Sequence, residues 1–255
     1  MPPSDLETYR CDGFVVFDHT PEVAAWARSA LKVADEIKDM PEMQRTWLRH
    51  QKTWFVGVDA LPNAPDGSIA GTPLTGPWEA LVAVPQEWHR AQLSIVYPGY
   101  PGCDPDESDA AHRFRHRRCA AHVDGLLPEG PDRRRYLREP HAFVLGLPLD
   151  NAQASPLVVW PGSHLTMGAA FRKAAAGRDI TRLDVTDTYQ AVRRTVFDTI
   201  APVEVMAKPG QSVLLHRHVL HGVKPWDPAW TVKERKVAYF RPQFDDPAQW
   251  LGPDP

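Results

Sequence analysis

In the run His122-Val123-Asp124 an imidazole and a carboxylate stand two residues apart. Residues i and i+2 of an extended strand project from the same face, so both side chains can converge on one cation. His221, which follows the run SVLLHRHVL, offers a second imidazole from a different strand. Two imidazoles and one carboxylate on one face of an octahedron suit Fe(II) and leave positions free for other ligands. A His-x-Asp triplet alone is common, and with 11 histidines in the chain a later His adds weight only through its surroundings.

Those surroundings are DGFVVF near the start, HVD, PLVVWPGSH (156–164), GQSVLLHRHVLHG (210–222) and RKVAYFRP (235–242). Taken in this order, they resemble the phytanoyl-CoA dioxygenase family of Fe(II)/2-oxoglutarate-dependent oxygenases over most of the chain. The resemblance implies that His122, Asp124 and His221 bind iron and that Arg235 pairs with the distal carboxylate of 2-oxoglutarate. Arginine suits that task because its planar fork donates two parallel hydrogen bonds to a carboxylate and stays charged when partly buried. Lys236 and Arg241 compete for it. The RKVA run favours Arg235, whereas Arg241 precedes a proline near the strand's end.

The resemblance further implies that 2-oxoglutarate and O2 are consumed, that succinate and carbon dioxide are released, and that a C–H bond of a small-molecule or acyl substrate is attacked. Related halogenases carry a small residue where Asp124 stands, so its presence favours hydroxylation. The chain departs from the family pattern at Val223, where a serine often helps to bind the cosubstrate carboxylate. The interval from His221 to Arg235 is also longer than expected, filled by Lys224-Pro225-Trp226 and Trp230.

Two other readings stay open. Gly210 followed by His216 and His218 resembles the opening of a cupin metal motif, which would make a metalloenzyme that does not use 2-oxoglutarate. That motif continues with a glutamate where Gly222 and Val223 stand, which leaves His216 and His218 as strand residues, one of them a hydrogen-bonding neighbour of the metal. The third reading is a non-catalytic jelly-roll binding module.

The elements that must position these residues are mostly short, β-rich runs punctuated by Pro, Gly and Asp: 53–58, 91–97, 118–125, 142–149, 156–160, 203–207, 212–220 and 236–242. Before them, Ser4 and Glu7 have capping-box spacing for a short helix, GFVVF (13–17) reads as a buried strand, and Thr20-Pro21-Glu22 opens an amphipathic helix. Helical pieces are expected near 168–177 and 188–197. The pattern predicts a mainly β fold with flanking helices, a double-stranded β-helix (jelly roll, cupin-like) core, in one domain over 1–255 with an N-terminal helical prelude. Residues 98–118, rich in Gly, Pro and acid before turning basic, read as a loop and candidate lid.

Composition narrows the function classes. At 43% hydrophobic and 24% charged residues the chain has ample material for a core, and a net charge of -3 gives no general case for nucleic acid or an anionic membrane. Two basic clusters, RFRHRR (113–118) and DRRRYLR (132–138), flank HVD and suit an anionic small-molecule substrate such as a carboxylate, phosphate or acyl-CoA, although a solvated, salt-bridged loop surface explains them slightly better. Trp54, Trp160 and Trp226 read first as core. Cys11, Cys103 and Cys119 are an odd number without CxxC spacing, so neither a disulfide framework nor a zinc site is indicated, and a reducing cytoplasm fits. No run of about 18 apolar residues suggests a membrane span. Nothing in the sequence indicates an oligomeric state.

Overall fold

The computed structural model describes residues 3–253. Helix α1 (Asp5–Asp12) begins with the expected capping box, in which the Ser4 hydroxyl accepts from the Glu7 amide while the Glu7 carboxylate accepts from the Ser4 amide. Strand β1 (Phe14–Phe17) follows, then helix α2 (Pro21–Lys38), capped by Thr20 as the sequence predicts. Val23, Trp26, Ala27, Ala30, Ala34 and Ile37 form its buried stripe, and the Trp26 indole donates to the Gly67 carbonyl at 2.9 Å. A third helix, α3 (Pro41–Trp47), was not expected from the sequence.

The main sheet then builds from β2 (Leu48–Arg49), β3 (Trp54–Phe55) and β4 (Gln92–Val96). Helix α4 (Asp109–Arg117) and the hairpin β5 (Leu126–Glu129) and β6 (Arg134–Leu137) precede β7 (Phe143–Pro148) and β8 (Leu157–Val159). Helices α5 (Ser163–Ala175) and α6 (Thr186–Thr199) lead into β9 (Val203–Val205), β10 (Ser212–His216), β11 (His221–Val223) and β12 (Arg235–Phe240).

Seven strands form one antiparallel sheet in the order β1-β10-β7-β12-β4-β3-β2, and three form a second in the order β11-β8-β9. Val144, Val213, Leu215 and Val237 of the large sheet pack on Leu157, Val159 and Val205 of the small one. The chain passes between the sheets along β7, β8–β9, β10, β11 and β12, the connectivity of a jelly roll. On the outer face of the large sheet, Leu145, Leu147, Leu214 and Phe240 pack against Trp26 and its neighbours. Both faces of the central strands are thus covered, which is why FVLGLP is apolar throughout rather than alternating.

Three expectations are corrected. Residues 118–125 do not form a strand: they turn, and only His122 bridges, pairing antiparallel with His221 through two backbone hydrogen bonds of 2.8 and 3.1 Å. Residues 98–118 are not all loop, since the Ser108 hydroxyl caps α4 by accepting from the Ala111 amide. The basic run 132–138 forms one arm of the β5–β6 hairpin. Among the described residues no helix is long and apolar enough to cross a membrane.

Candidate active site

The His122–His221 bridge extends the small sheet by one more stretch of chain and sets the site's geometry. Cys119 and Ala120 enter it with φ of 53° and 52°, a left-handed pair that turns the backbone toward β11. The amide of Val223 donates to the Cys119 carbonyl at 2.9 Å. Gly222 permits this approach, because a Cβ there would lie 2.1 Å from the Cys119 oxygen. Gly125 (φ 82°) plays a similar part after Asp124, where a Cβ would meet the Glu139 carbonyl at 2.0 Å.

Three donor atoms converge at the bridge. One ligand atom each from His122, Asp124 and His221 lies within 4.8 Å of the others. His122 Nε2 is 3.0 Å from Asp124 Oδ1, and His221 Nε2 is 3.7 Å from Asp124 Oδ2. Each imidazole commits its other nitrogen to a backbone carbonyl two residues earlier: His122 Nδ1 to Ala120 and His221 Nδ1 to Val219, both at 3.0 Å. A carbonyl only accepts, so Nδ1 carries the proton and Nε2 keeps the lone pair a metal needs.

The electrostatics preserve that state. Burial pushes the His221 imidazole down to about 4, against the partial opposition of Asp124, so it is neutral at physiological pH. Burial alone would raise Asp124, but Arg241 and the two imidazoles outweigh it and hold the carboxyl well below its usual range. A neutral His221 and an ionised Asp124 are protonation states suited to ligation.

Arg241 is the residue that sequence reasoning underrated. Its Nε donates to Asp124 Oδ2 at 2.8 Å and its Nη1 to Gln92 Oε1. Its amide donates to His89 Nε2 at 3.3 Å, and its carbonyl accepts from His141 Nδ1 at 3.1 Å. The signal was the two-residue period: Arg235, Val237, Tyr239 and Arg241 alternate along one line, and Val237 and Tyr239 face the inter-sheet core.

Arg235, at the other end of that line, is 8% exposed. Its Nη1 is buried without a hydrogen-bond partner. It does not line the large cavity containing the three donors. It lines a small neighbouring cavity between the sheets, and the two cavities share Leu157 and Tyr239 as walls.

The large cavity has a volume of about 660 Å³. Val144, Leu157, Val223 and Tyr239 supply apolar wall, while Trp54, Gln92 and Ser94 stand on the β3–β4 side. Helix α4 contributes Ala111, Phe114 and Arg115; Arg133 and Arg135 come from the hairpin and Arg193 from α6. Both basic clusters of the sequence therefore place arginines on this cavity. Cys119 also lines it, with burial pushing its thiol up, so it is a packing residue rather than a nucleophile. Trp54 is a wall residue, Trp160 packs away from the cavity against Phe197, and Trp226 packs in the neighbouring cluster with Val96 and Tyr100.

His216 and His218 lie elsewhere. They pack with His164, Phe171 and Trp250, and His216 Nδ1 accepts from the His218 amide at 3.0 Å. Among the described residues neither joins a group of three metal-competent side chains. Backbone links them to the donor cluster: the Val219 amide donates to the His216 carbonyl, and the Val219 carbonyl accepts from His221.

No protein-family model and no curated protein matches the chain. Among solved structures, EctD from S. alaskensis with 2-oxoglutarate and 5-hydroxyectoine is similar at a TM-score of 0.44 and 17% identity, covering 91% of this chain and 72% of its own. The non-heme alpha ketoglutarate dependent carbocyclase SnoK from nogalamycin biosynthesis is similar at a TM-score of 0.49 and 14% identity, covering 95% and 87%. The non-heme monooxygenase ThoJ, as its nickel complex, gives a TM-score of 0.44 at 17% identity, covering 93% and 77%. Likeness at this level assigns no chemistry, which rests on the residues of the site itself.

Proposed function

We propose that the chain is an Fe(II)- and 2-oxoglutarate-dependent oxygenase that hydroxylates an anionic small molecule. The observation that carries this reading is the arrangement of His122, Asp124 and His221: three donor atoms within 4.8 Å of one another, with each Nδ1 tied to a carbonyl. Two imidazoles and one carboxylate, each placing one ligand atom within 4.8 Å of the others, fit a facial site for Fe(II) with open positions. When bound, iron with 2-oxoglutarate and O2 supplies the oxidising power for C–H hydroxylation, with succinate and carbon dioxide as coproducts.

The chain's own residues do the rest. Arg241 fixes the Asp124 carboxylate and leaves its Oδ1 beside His122. Arg235 is the cation for the distal carboxylate of 2-oxoglutarate. It is buried between the sheets with Nη1 unpaired, whereas Arg241 is already engaged by Asp124 and Gln92. Val223, in place of a hydroxyl residue, leaves that carboxylate to Arg235 without serine's help. The apolar wall formed by Val144, Leu157 and Val223 limits water at the reacting centre.

Substrate class follows from charge. Arg115, Arg133, Arg135 and Arg193 surround the cavity, and its acidic wall residues are Asp124 and Glu139. A cationic, partly desolvated rim selects a carboxylated or phosphorylated compound. The test is succinate release from 2-oxoglutarate by iron-loaded protein in air, across a panel of such compounds. Iron-dependent succinate, stimulated by an anionic compound and abolished in His221→Ala, is expected. Bound iron with no succinate from any mixture contradicts the reading.

A further inference from the structure

The segment 98–118 holds a second group of ligand-type side chains, outside the triad. Cys103, Glu107 and His112 each place one ligand atom within 4.8 Å of the others. The Glu107 side chain is only 7% exposed, and although its Oε1 accepts from Arg115, its Oε2 is buried with no hydrogen-bond partner. His112 Nδ1, 3.7 Å from Glu107 Oε2, is likewise buried and unpaired. His50 Nδ1, from the β2–β3 turn, lies 4.0 Å from the same oxygen but only 3.3 Å from Asp104 Oδ2, which is its nearer partner. Buried polar atoms normally have partners, and the adjacent orphans Glu107 Oε2 and His112 Nδ1 can both give a lone pair to one cation.

A hydrogen bond cannot join His112 Nδ1 to Glu107 Oε2 across 3.7 Å. A cation can. From metal–ligand bonds of about 2.0–2.3 Å, donors in a tetrahedral zinc-type site stand roughly 3.3–3.8 Å apart, which the His112–Glu107 pair meets. One thiolate, one carboxylate and one imidazole select a borderline-soft divalent ion over calcium or magnesium, which prefer oxygen throughout. Sequence spacing gave no zinc signal, because Cys103 lacks a CxxC partner.

We infer that Cys103, Glu107 and His112 form a structural site for a zinc-class cation that fastens α4 in place as a wall of the cavity. The polypeptide around it is already clamped: the Asp104 carboxylate accepts from the His50 and Gln51 amides at 3.0 and 2.8 Å. His112 lies on α4, whose neighbouring residues Ala111, Phe114 and Arg115 face the cavity. An ion joining Cys103 to His112 therefore fixes the coil before α4 to the helix's first turn, and the Asp104 clamp ties that coil to the β2–β3 turn.

Cobalt(II) titration of the full chain in a His221→Ala background separates this site from the triad. One tightly bound equivalent with a thiolate-to-cobalt charge-transfer band is expected. The band should vanish in Cys103→Ser, persist in Cys119→Ser, and require at least ten-fold more cobalt in His112→Ala. Because Cys103 is exposed, its serine variant should melt like the parent without metal. Absence of the band in the parent, or its survival in Cys103→Ser, overturns the site. Zinc should also slow trypsin cleavage at Arg113–Arg118 in the parent and not in Cys103→Ser. Cleavage unaffected by zinc in a protein that shows the cobalt band overturns the fastening role.

Discussion

Arg241 donates from Nε to Asp124 Oδ2 at 2.8 Å, joining the end of a large-sheet strand to the carboxylate of the metal-ligand group in the small-sheet extension. Asp124 is 9% exposed, so without this partner a buried carboxylate would lose its hydrogen-bonded cation. Replacing Arg241 by Ala should weaken Fe(II) binding about 10–100-fold, the usual scale for losing a partner that orients a ligand. Isothermal titration with Fe(II) under nitrogen measures this. Unchanged affinity would mean that Arg241 does not orient the carboxylate.

Gly222 makes a backbone-level prediction. A methyl group at this position would press on the Cys119 carbonyl, so Gly222→Ala must separate β11 from the 119–123 segment and move His122 from His221. The expected cost is about 1–3 kcal/mol of stability, the range for forced overpacking, accompanied by loss of iron affinity. Thermal melting and metal titration of one preparation report both effects. Wild-type affinity with reduced stability would detach the bridge from metal binding.

Much of this site was legible in the sequence because its chemistry resides in residue types. The HVD triplet and His221 were picked out by residue type, most of the other β-rich runs hold strands, and α1 and α2 begin at their expected caps. What escaped was made by tertiary contact. The expected strand at 118–125 fails because Cys119 and Ala120 take left-handed conformations to meet β11, which neither residue advertises. Helix α4 hid behind a stretch of Gly, Pro and acid whose stop signals precede its Ser108 cap. Arg241 looked like a strand-end residue before proline, and only the fold shows that Asp124, Gln92, His89 and His141 meet it there.

Acid should destabilise the metal-free protein. The His221 imidazole titrates near 4 when folded and near 6.5 when unfolded, and burial likewise holds His218 well below its ordinary value. Between those two pH values the unfolded chain binds more protons, so stability is full above about 6.5 and is lost as pH falls toward 4. Asp124, lowered within the fold, adds a further loss only below the ordinary carboxylate range. Melting temperatures of chelator-treated protein should therefore decline from pH 7 to 4.5, and the decline should be shallower in His221→Gln. Equal slopes in the two proteins would contradict the assignment of a neutral, buried His221.

Anaerobic titration of Fe(II)-loaded protein with 2-oxoglutarate, followed by visible absorption, tests the central claim most directly. Chelation of iron by the keto acid gives a weak metal-to-ligand charge-transfer band. That band is expected in the wild type and absent in His221→Ala. In Arg235→Ala it should require about 10–100-fold more 2-oxoglutarate, the scale of one lost hydrogen-bonded charge. Iron bound at the triad with no band at any 2-oxoglutarate concentration would contradict that claim.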